Sequence, residues 1–302
     1  MKVIASDERT AVVSRVMGLL DPGSFMEMGE HVSARFTEFY HPDSVKESDG
    51  VVTGYGTING NLVFVYAQDN EVMGGTFGEQ HGRKIVDLYE HAIKANAPVI
   101  GLLDCAGFRI EEGLDGLYQF AKLYKRQTEA SHVIPQIVAV IGQCGGGMSI
   151  AAQLADFVFI EKEKGSIFVN PQRVVSNAIG DNPYVEALND GTFEWAEIVE
   201  KIHSIVDILP SSSKFAPDVL EVSDEDLNRS CDGIEDSLGD ARAILAELSD
   251  DGRLIECRSE EGQSIVTGFI RIAGMPLGVV ACNEFEGNRK WIQFYQRLNI
   301  FK

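Results

Sequence analysis

Two apolar stretches that each run into glycines decide the fold: Pro98-Val-Ile-Gly-Leu-Leu-Asp-Cys-Ala-Gly-Phe-Arg-Ile-Glu-Glu-Gly113 and Pro135-Gln-Ile-Val-Ala-Val-Ile-Gly-Gln-Cys-Gly-Gly-Gly-Met148. Their apolar parts predict buried strands over 98–103 and 135–141. The residues between and after them predict helices at about 113–131 and 146–154 and a strand at 157–160. Continuous apolar strands separated by helices are typical of parallel strands with both faces covered. The sequence therefore predicts an α/β lobe.

Upstream of these stretches, the sequence predicts a β-hairpin that leads into a helix. Residues 51–58 and 62–68 are rich in β-branched and aromatic side chains and flank Asn59-Gly60, a dipeptide that tolerates the positive φ angles of a tight turn. Residues 79–95 have helical apolar spacing. An earlier amphipathic helix, over 8–20, ends at the Asp-Pro-Gly turn that follows it.

The chain also contains an internal repeat. Residues 265–281 align without a gap with residues 51–67, and residues 248–256 with residues 19–27. Downstream, an Arg-Lys pair and an apolar-Tyr pair keep the same spacing, at 83–84 and 88–89 in the first copy and at 289–290 and 294–295 in the second. Three matching blocks in the same order indicate a duplicated lobe.

The repeat predicts three regions. A first lobe covers residues 1–209, an acidic linker covers 210–240, and an incomplete second copy at 241–302 repeats about 19–98. Because the second copy has no counterpart of residues 98–175, we expect it not to build the same site as the first.

Composition and charge exclude several classes of function. The 26 basic and 46 acidic residues give a formal net charge of −20, which disfavours binding to nucleic acid or to an anionic membrane. No apolar run reaches about 18 residues, and the start of the chain turns acidic, so we expect a soluble, cytoplasmic protein. The five cysteines form no Cys-x-x-Cys pair and the six histidines no metal-binding spacing. We therefore expect neither a disulfide framework nor a metal site.

Both glycine-bearing segments follow predicted parallel strands. We expect them at the same carboxyl-terminal edge of the sheet, where ligands bind in open α/β folds. Three glycines at 145–147 let the backbone approach a ligand closely, and the helix that starts there directs N–H groups at it. The two loops are therefore able to form a two-donor oxyanion hole. The alternative is that the glycines only allow tight helix–strand packing.

Taken in order, these motifs resemble a known family. The matching segments are Leu-Leu-Asp-Pro-Gly-Ser-Phe at 19–25, Gly-Gly-Thr-Phe-Gly-Glu-Gln-His-Gly-Arg-Lys-Ile at 74–85, residues 104–113, Pro-Gln-Ile at 135–137, and residues 142–148 with Ala155-Asp156-Phe157. Residues 15–175 are similar to the N-terminal lobe of biotin-dependent acyl-CoA carboxyltransferases of the crotonase superfamily, and residues 248–297 to the opening of their C-terminal lobe. The resemblance implies a crotonase-like spiral of ββα units. It also implies transfer of a carboxyl group between biotin and the α-carbon of a short acyl-CoA thioester.

The resemblance further implies which residues form the site. The thioester enolate is expected to be stabilised by backbone amides around Gly107 and Phe108 and at Gly146 and Gly147, without a side-chain base. The residues assigned to CoA binding are Gly74, Gly75, Arg83, Lys84, Ala106, Gly145 and Met148. The basic residues Lys122, Lys125 and Arg126 extend the cluster that is able to meet the CoA phosphates, and the alternative for this cluster is a solvated helix face.

Some residues leave alternatives open. Phe108 stands where the family has a small residue, which predicts either a preference for smaller acyl groups or an impaired site. Arg109 with Glu111 and Glu112 either braces the loop through an ion pair or acts in acid–base catalysis. The two glutamates would serve a hydratase of the crotonase group only if both faced the substrate, and adjacent residues diverge in direction. The residues not expected to act as catalysts are Cys105, Cys144, His81 and His132.

Partners follow from what the sequence lacks. It contains no Ala-Met-Lys-Met biotin-attachment segment, so biotin is expected to arrive on a biotin carboxyl carrier protein. The incomplete second lobe and its apolar hairpin at 265–281 predict a homo- or hetero-oligomer, in which a separate chain is able to complete the lobe. An alternative of a different class is a non-catalytic subunit that supports the assembly of a carboxylase or decarboxylase complex.

Overall fold

The computed structural model of the chain describes residues 11–38, 48–170, 189–222, 228–237, 239–259 and 265–283. The chain divides into two compact units, residues 1–203 with 211–214, and residues 204–210 with 215–302. The predicted start of the first helix at 8–10 and the repeat block at 289–295 lie outside the described residues.

The first unit contains a mixed sheet in which eight strands are described. They are β1 Met26–Met28, β2 Val51–Ile58, β3 Asn61–Gln68, β4 Val99–Cys105, β5 Gln136–Gly145, β6 Phe157–Glu161, β7 Ser166–Phe168 and β8 Thr192–Phe193. Their order is β1-β2-β3-β4-β5-β6-β8, with β7 paired to β5. The β1–β2 and β2–β3 pairings are antiparallel, and all later pairings are parallel. The predicted α/β class and its entering hairpin are confirmed.

Five described α-helices precede, connect or follow these strands. They are α1 Ala11–Leu19, α2 Glu79–Ala95, α3 Gly113–Ala130, α4 Gly147–Gln153 and α5 Trp195–Ile208. Helix α2 ends at Asn96, which adopts the left-handed conformation that asparagine tolerates at a helix end. Its stripe of Ile85, Leu88 and Ala92 is fully buried in the core, together with strand residues such as Leu103. The helical spacing predicted for this segment is therefore confirmed.

Strand β5 is longer than its apolar run predicts. The sequence predicts a strand over 135–141 that gives way to a loop at Gly142, whereas β5 continues to Gly145. The extension exists because β7 pairs with it in parallel, from Gln143 with Ser166 to Gly145 with Phe168. Pairing between residues more than 20 positions apart in the sequence thus overrides the low strand propensity of glycine.

The second unit contains an antiparallel sheet of three described strands. They are β9 Ile255–Cys257, β10 Ile265–Ile272 and β11 Met275–Cys282, in the order β11-β10-β9. The described α-helices that lie wholly within this unit are α6 Gly233–Asp236 and α7 Ala241–Leu248. The β10–β11 hairpin pairs Ile272 with Met275 at its turn, as the β2–β3 hairpin pairs Ile58 with Asn61. Strand β1 pairs with β2 in the same register as β9 pairs with β10. The sequence repeat is therefore matched by a repeat in backbone pairing.

A single aspartate holds the hairpin turn in each copy. The Asp21 carboxylate accepts the amides of Asn59-Gly60, both at 2.9 Å. The Asp250 carboxylate accepts the amides of Ala273-Gly274 at 3.1 and 2.7 Å. All four turn residues have positive φ, so the two turns share one conformation. The aspartate of the repeated Leu-x-Asp block is therefore a turn cap.

Candidate active site

Three loops meet at the carboxyl-terminal ends of β4 and β5. They comprise residues 73–78, 104–109 and 142–148, and the last two ranges include the final residues of β4 and β5 and the first residues of α4. The Ala106 amide donates to the Gly74 carbonyl at 3.1 Å, and the Phe77 amide donates to the Gly107 carbonyl at 2.8 Å. A Cβ on Gly145 would lie 3.4 Å from the Ala106 carbonyl oxygen, so the second and third loops are in contact. The predicted meeting of both glycine-bearing segments at one sheet edge is confirmed.

The first candidate donor group is the backbone that follows β4. Phe77 and Phe108 form an isolated parallel bridge, which uses the Gly107 carbonyl and the Arg109 amide. Within the described residues, the Phe108 amide has no hydrogen-bond partner, whereas a hydrogen bond from the Gly107 backbone to the Cys105 sulfur lowers the pKa of that thiol against the effect of burial. The Phe108 amide is therefore available to a ligand.

The second candidate donor group contains one free amide fewer than the sequence predicts. The Gly146 amide donates to the Phe168 carbonyl at 3.0 Å, so it is already bonded. The Gly147 amide is the first of helix α4 and has no partner among the described residues. Of the glycine pair Gly146 and Gly147, the structure therefore favours Gly147 as the donor.

Gly147 is held by two aromatic side chains that the sequence does not single out. The Tyr124 hydroxyl donates to the Gly147 carbonyl at 2.7 Å. A Cβ on Gly147 would lie 2.8 Å from the Phe120 ring and 2.9 Å from the Tyr124 hydroxyl, so only glycine fits without movement. The helical spacing of Phe120 and Tyr124 on α3 is the signal that places them on one face.

The ring of Phe108 lies against helix α3. A Cβ on Gly116 would lie 2.6 Å from this ring, and the Phe108 and Phe120 ring centroids are 6.2 Å apart. Phe108 also packs against the main hydrophobic core. A large residue is accommodated at 108 because α3 has a glycine opposite it, and this placement argues against the expected obstruction of the site.

Arg109 braces the first donor loop. Its guanidinium is buried and forms ion pairs with Asp49 and, at 3.3 Å, with Glu112. Its Nε donates to the Thr76 hydroxyl at 3.1 Å. Glu112 also accepts the Glu79 amide at the start of α2. The expected brace is confirmed, and the acid–base alternative is disfavoured because Glu112 is already engaged.

The remaining acid of that alternative, Glu111, is exposed, whereas Glu112 is buried. The two carboxylates therefore do not face a common substrate. This difference argues against the hydratase alternative.

A buried polar cluster lies behind the brace. Burial raises the pKa of the Asp49 carboxyl to about 6, against the lowering effect of Arg109. The His81 ring is fully buried between the Asp49 carbonyl and the Gln68 side chain, and burial holds its pKa well below the usual value. His81 is thus a neutral packing residue, as the sequence predicts.

Lys84 differs from its expected role. Its ammonium is buried and donates to the Val51 carbonyl at 2.5 Å. Burial also lowers the pKa of Lys84. The assignment of Lys84 to CoA phosphate binding is therefore disfavoured, because the side chain points under the hairpin.

The other basic candidates line a groove of about 750 Å³ between α2 and α3, namely Arg83, Lys122, Lys125 and Arg126. Arg126 pairs with Glu90 and, at 2.6 Å, with Glu129, and Lys125 lies 3.7 Å from Glu129. The exposed Arg83 has no ion pair among the described residues. Lys122 has no ion pair there either, but its ammonium lies over the Tyr118 ring, 4.6 Å from the ring centroid, and Lys122 is less exposed than Arg83. Arg83 is therefore the cation of this groove that is best placed to meet an added phosphate.

The uncharged residues assigned to CoA binding fall into two groups. Gly74 and Ala106 lie at the surface where the first two loops meet, and Ala106 is exposed. Gly75, Gly145 and Met148 are buried. A Cβ on Gly75 would overlap the Asp104 carbonyl oxygen, so this glycine is required for packing.

The cysteines are free thiols. Cys105 and Cys144 are buried and pair in register across β4 and β5. Burial raises the pKa of Cys105 to about 11 and raises that of Cys144 further. Both are protonated at neutral pH, which agrees with the prediction that neither is a nucleophile.

In the part of the chain that the structure describes, no three side chains of His, Cys, Asp or Glu cluster in the way a metal site requires. No helix within the described residues is long and apolar enough to cross a membrane.

Comparison with known proteins gives consistent relatives. The chain is 34% identical over 320 residues to the propionyl-CoA carboxylase beta chain of Roseobacter denitrificans, covering 95% of this chain and 62% of that protein. It is 30% identical over 316 residues to the methylmalonyl-CoA decarboxylase subunit alpha of Veillonella parvula, with the same two coverages. The chain thus spans about 62% of the length of these relatives.

Among solved structures, transcarboxylase 12S with hydrolysed methylmalonyl-CoA bound superposes with a TM-score of 0.83 at 28% identity, covering 90% of this chain and 56% of that one. This match confirms the predicted crotonase-like fold. The model of the carboxyl transferase domain matches residues 5–291. This chain therefore belongs to the carboxyl transferase domain family.

Proposed function

We propose that this chain carries the acyl-CoA side of a biotin-dependent carboxyl transfer site. The observation that carries the proposal is the pair of donor loops at the ends of β4 and β5. The Phe108 amide in one loop and the Gly147 amide in the other have no partner among the described residues. Membership of the family and relatives named for propionyl-CoA and methylmalonyl-CoA support a short acyl-CoA as substrate.

In the proposed reaction, both loops donate hydrogen bonds to the thioester oxygen. Negative charge grows on this oxygen when the α-carbon becomes an enolate, so fixed amides stabilise the enolate more than the ground state. Carboxybiotin on a partner carrier protein would supply the carboxyl group by cleavage of its N–carboxylate bond, and the ureido nitrogen released in that cleavage would take up the proton lost from the α-carbon. The described side chains around the loops contribute packing and ion pairs, because Arg109 and Glu112 are bonded to each other and the Cys105 and Cys144 thiols are protonated.

CoA is proposed to enter beside Gly74 and Ala106, with its phosphates towards Arg83. Ala106 and Arg83 are both exposed, and Arg83 lines the groove between α2 and α3. Replacing Arg83 with alanine should weaken CoA binding several-fold in calorimetry, and the effect should shrink as salt is added.

Assembly with another subunit is part of the proposal. Strand β3 pairs with both β2 and β4, whereas its repeat counterpart β11 pairs only with β10 among the described strands. Apolar side chains on β11, such as Leu277 and Val280, are exposed. An apolar strand with a free edge is normally covered. Sedimentation should show an oligomer, and a monomer with rapid hydrogen exchange over 265–281 would contradict this.

The lobe boundaries and the location are also proposals. We propose lobes at 1–209 and 241–302 joined by a linker at 210–240, and limited proteolysis should cut first within that linker. A cytoplasmic location is supported by five free cysteines. Cell fractionation with an antibody against the chain tests it.

The experiment that tests the function is transfer of labelled carboxyl from a carboxylated biotin carrier to propionyl-CoA, with partner subunits present. We expect label in the acyl-CoA fraction, and Gly147→Ala should reduce it strongly. Saturable CoA binding without transfer under every partner set would overturn the catalytic proposal. A chain that shows neither binding nor transfer would support the non-catalytic alternative.

A further inference from the structure

A bulge separates the regular part of the sheet from the two donor loops. The β4–β5 ladder pairs Leu103 with Val140 and next pairs Cys105 with Cys144. Asp104 alone therefore stands opposite three residues of β5. A bulge of this kind leaves backbone groups without ladder partners and redirects the chain that follows it, and bulges recur beside active sites.

The Asp104 side chain supplies the missing partner. Its Oδ1 accepts the Gln143 amide, inside the bulge, at 3.0 Å. The same oxygen accepts the Asn70 side-chain amide at 2.9 Å. The Asp104 amide in turn donates to the Gln68 side chain at 3.2 Å. One residue thus bonds to the third strand, to the loop after it and to the end of β5.

Two glycines make room for this arrangement. A Cβ on Gly142 would overlap the Asp104 carboxylate, and a Cβ on Gly75 would overlap the Asp104 carbonyl oxygen. Gly142 belongs to the loop that carries Gly147, and Gly75 to the loop that contacts Ala106. All three loops of the site are therefore fitted around Asp104.

We propose that Asp104 is a positioning residue that fixes the distance between the two donor loops by bonding to the bulge in β5. This inference rests on the proposed function, because it concerns how the Phe108 and Gly147 amides reach one oxygen. Donors act on an oxyanion at about 2.7–3.1 Å, so a small relative shift of the loops removes one of the two bonds. Asp104 precedes Phe108 by four residues in the sequence. It acts on the other donor, Gly147, through its bond to the Gln143 amide.

The test uses substitutions that separate the hydrogen bond from the charge. Asp104→Asn keeps an oxygen that accepts both donors, because both bond to the same Oδ1. Asp104→Ala removes this accepting oxygen. The matched control is Asp156→Ala, since Asp156 accepts the Gln136 amide at 2.8 Å at the opposite end of the same strand. Gly142→Ala displaces the carboxylate without changing it.

The readout is the ratio of the dissociation constants of S-propyl-CoA, a thioether without a carbonyl oxygen, and propionyl-CoA, measured by calorimetry on the full chain. This ratio reports the hydrogen bonds to the thioester oxygen, whereas loss of folded protein lowers the binding stoichiometry for both ligands equally. We expect the wild-type chain and Asp104→Asn to favour the thioester by about tenfold. Asp104→Ala and Gly142→Ala should bring the ratio close to one, and Asp156→Ala should leave it unchanged while lowering the thermal midpoint.

Each outcome decides between the proposals. An Asp104→Ala chain that keeps the wild-type ratio overturns the positioning role and leaves the proposed function intact. An Asp104→Asn chain that loses the preference for the thioester also overturns the positioning role, because the charge and not the hydrogen bond would then be required. A wild-type chain without any preference for the thioester overturns the donor pair of the proposed function, and the positioning role with it. In the double variant, Gly142→Ala should have no further effect once Asp104 is alanine.

Discussion

Gly146→Ala tests whether the backbone of the second donor loop is shaped for catalysis. Gly146 has φ 59° and ψ −127°, a region that is open almost only to glycine. A Cβ at this position meets nothing within 4 Å, so the whole effect must come from the backbone. Holding alanine in this conformation costs about 1–3 kcal/mol of unfolding free energy. If the peptide rotates to relieve that strain, the Gly147 amide turns away, which should lower kcat about 100-fold.

The assay combines urea unfolding with steady-state carboxyl transfer. We expect Gly146→Ala to lower stability by about 1–3 kcal/mol and kcat about 100-fold, with the KM for acyl-CoA nearly unchanged. Gly60→Ala is the control, because Gly60 also has a positive φ of 82° and open space but lies in the hairpin turn. It should lose stability and keep kcat. A Gly146→Ala enzyme with kcat within twofold of wild type would refute the assignment of the Gly147 amide.

Three further substitutions probe the surroundings of the loops. Tyr124→Phe removes the 2.7 Å bond to the Gly147 carbonyl, so kcat should fall several-fold while stability changes by about 1 kcal/mol, measured by the same two assays. Gly116→Ala places a Cβ 2.6 Å from the Phe108 ring, so it should reduce transfer, and adding Phe108→Leu should restore it; no rescue would mean that the ring is not the obstacle. Asp49→Asn tests the raised pKa of about 6, which lies above the ordinary 3.8. The folded state holds that proton more tightly, so wild-type stability relative to the variant should fall as pH rises from 4 to 7, by about 3 kcal/mol at most in urea titrations.

Elements with a strong local pattern could be predicted from the sequence. The Asn59-Gly60 turn and the apolar stripe of α2 each depend on residues close together in the chain, so their strands and helix were placed within a few residues. The same stripe also contained the signal against Lys84 as a phosphate ligand. Lys84 precedes Leu88 by one helical turn, which puts it on the buried face.

Features that depend on contacts between distant segments could not be predicted. The direction of the Phe108 ring is set by Gly116 on a neighbouring helix, and no local pattern links the two residues. The role of Asp104 depends on a bulge in β5, and the bulge is visible only once the strands are paired. Likewise, the Gly146 amide is removed from the donor set by Phe168, whose strand had no apolar run long enough to be recognised.

The capped hairpin turn has a consequence for how duplicated units are found and how they diverge. The cap lies 38 residues before the turn in the first copy and 23 in the second, so the spacer tolerates large length changes while the carboxylate keeps its task. Where the first copy has asparagine at the strained turn position, the second has alanine at φ 53°, a residue poorly suited to that conformation. The carboxylate outside the turn bonds to both turn amides, so it holds the same turn with either residue at the first position. Homology searches that weight the aspartate and ignore both spacer and turn should detect copies of this unit that alignment of the hairpin alone overlooks.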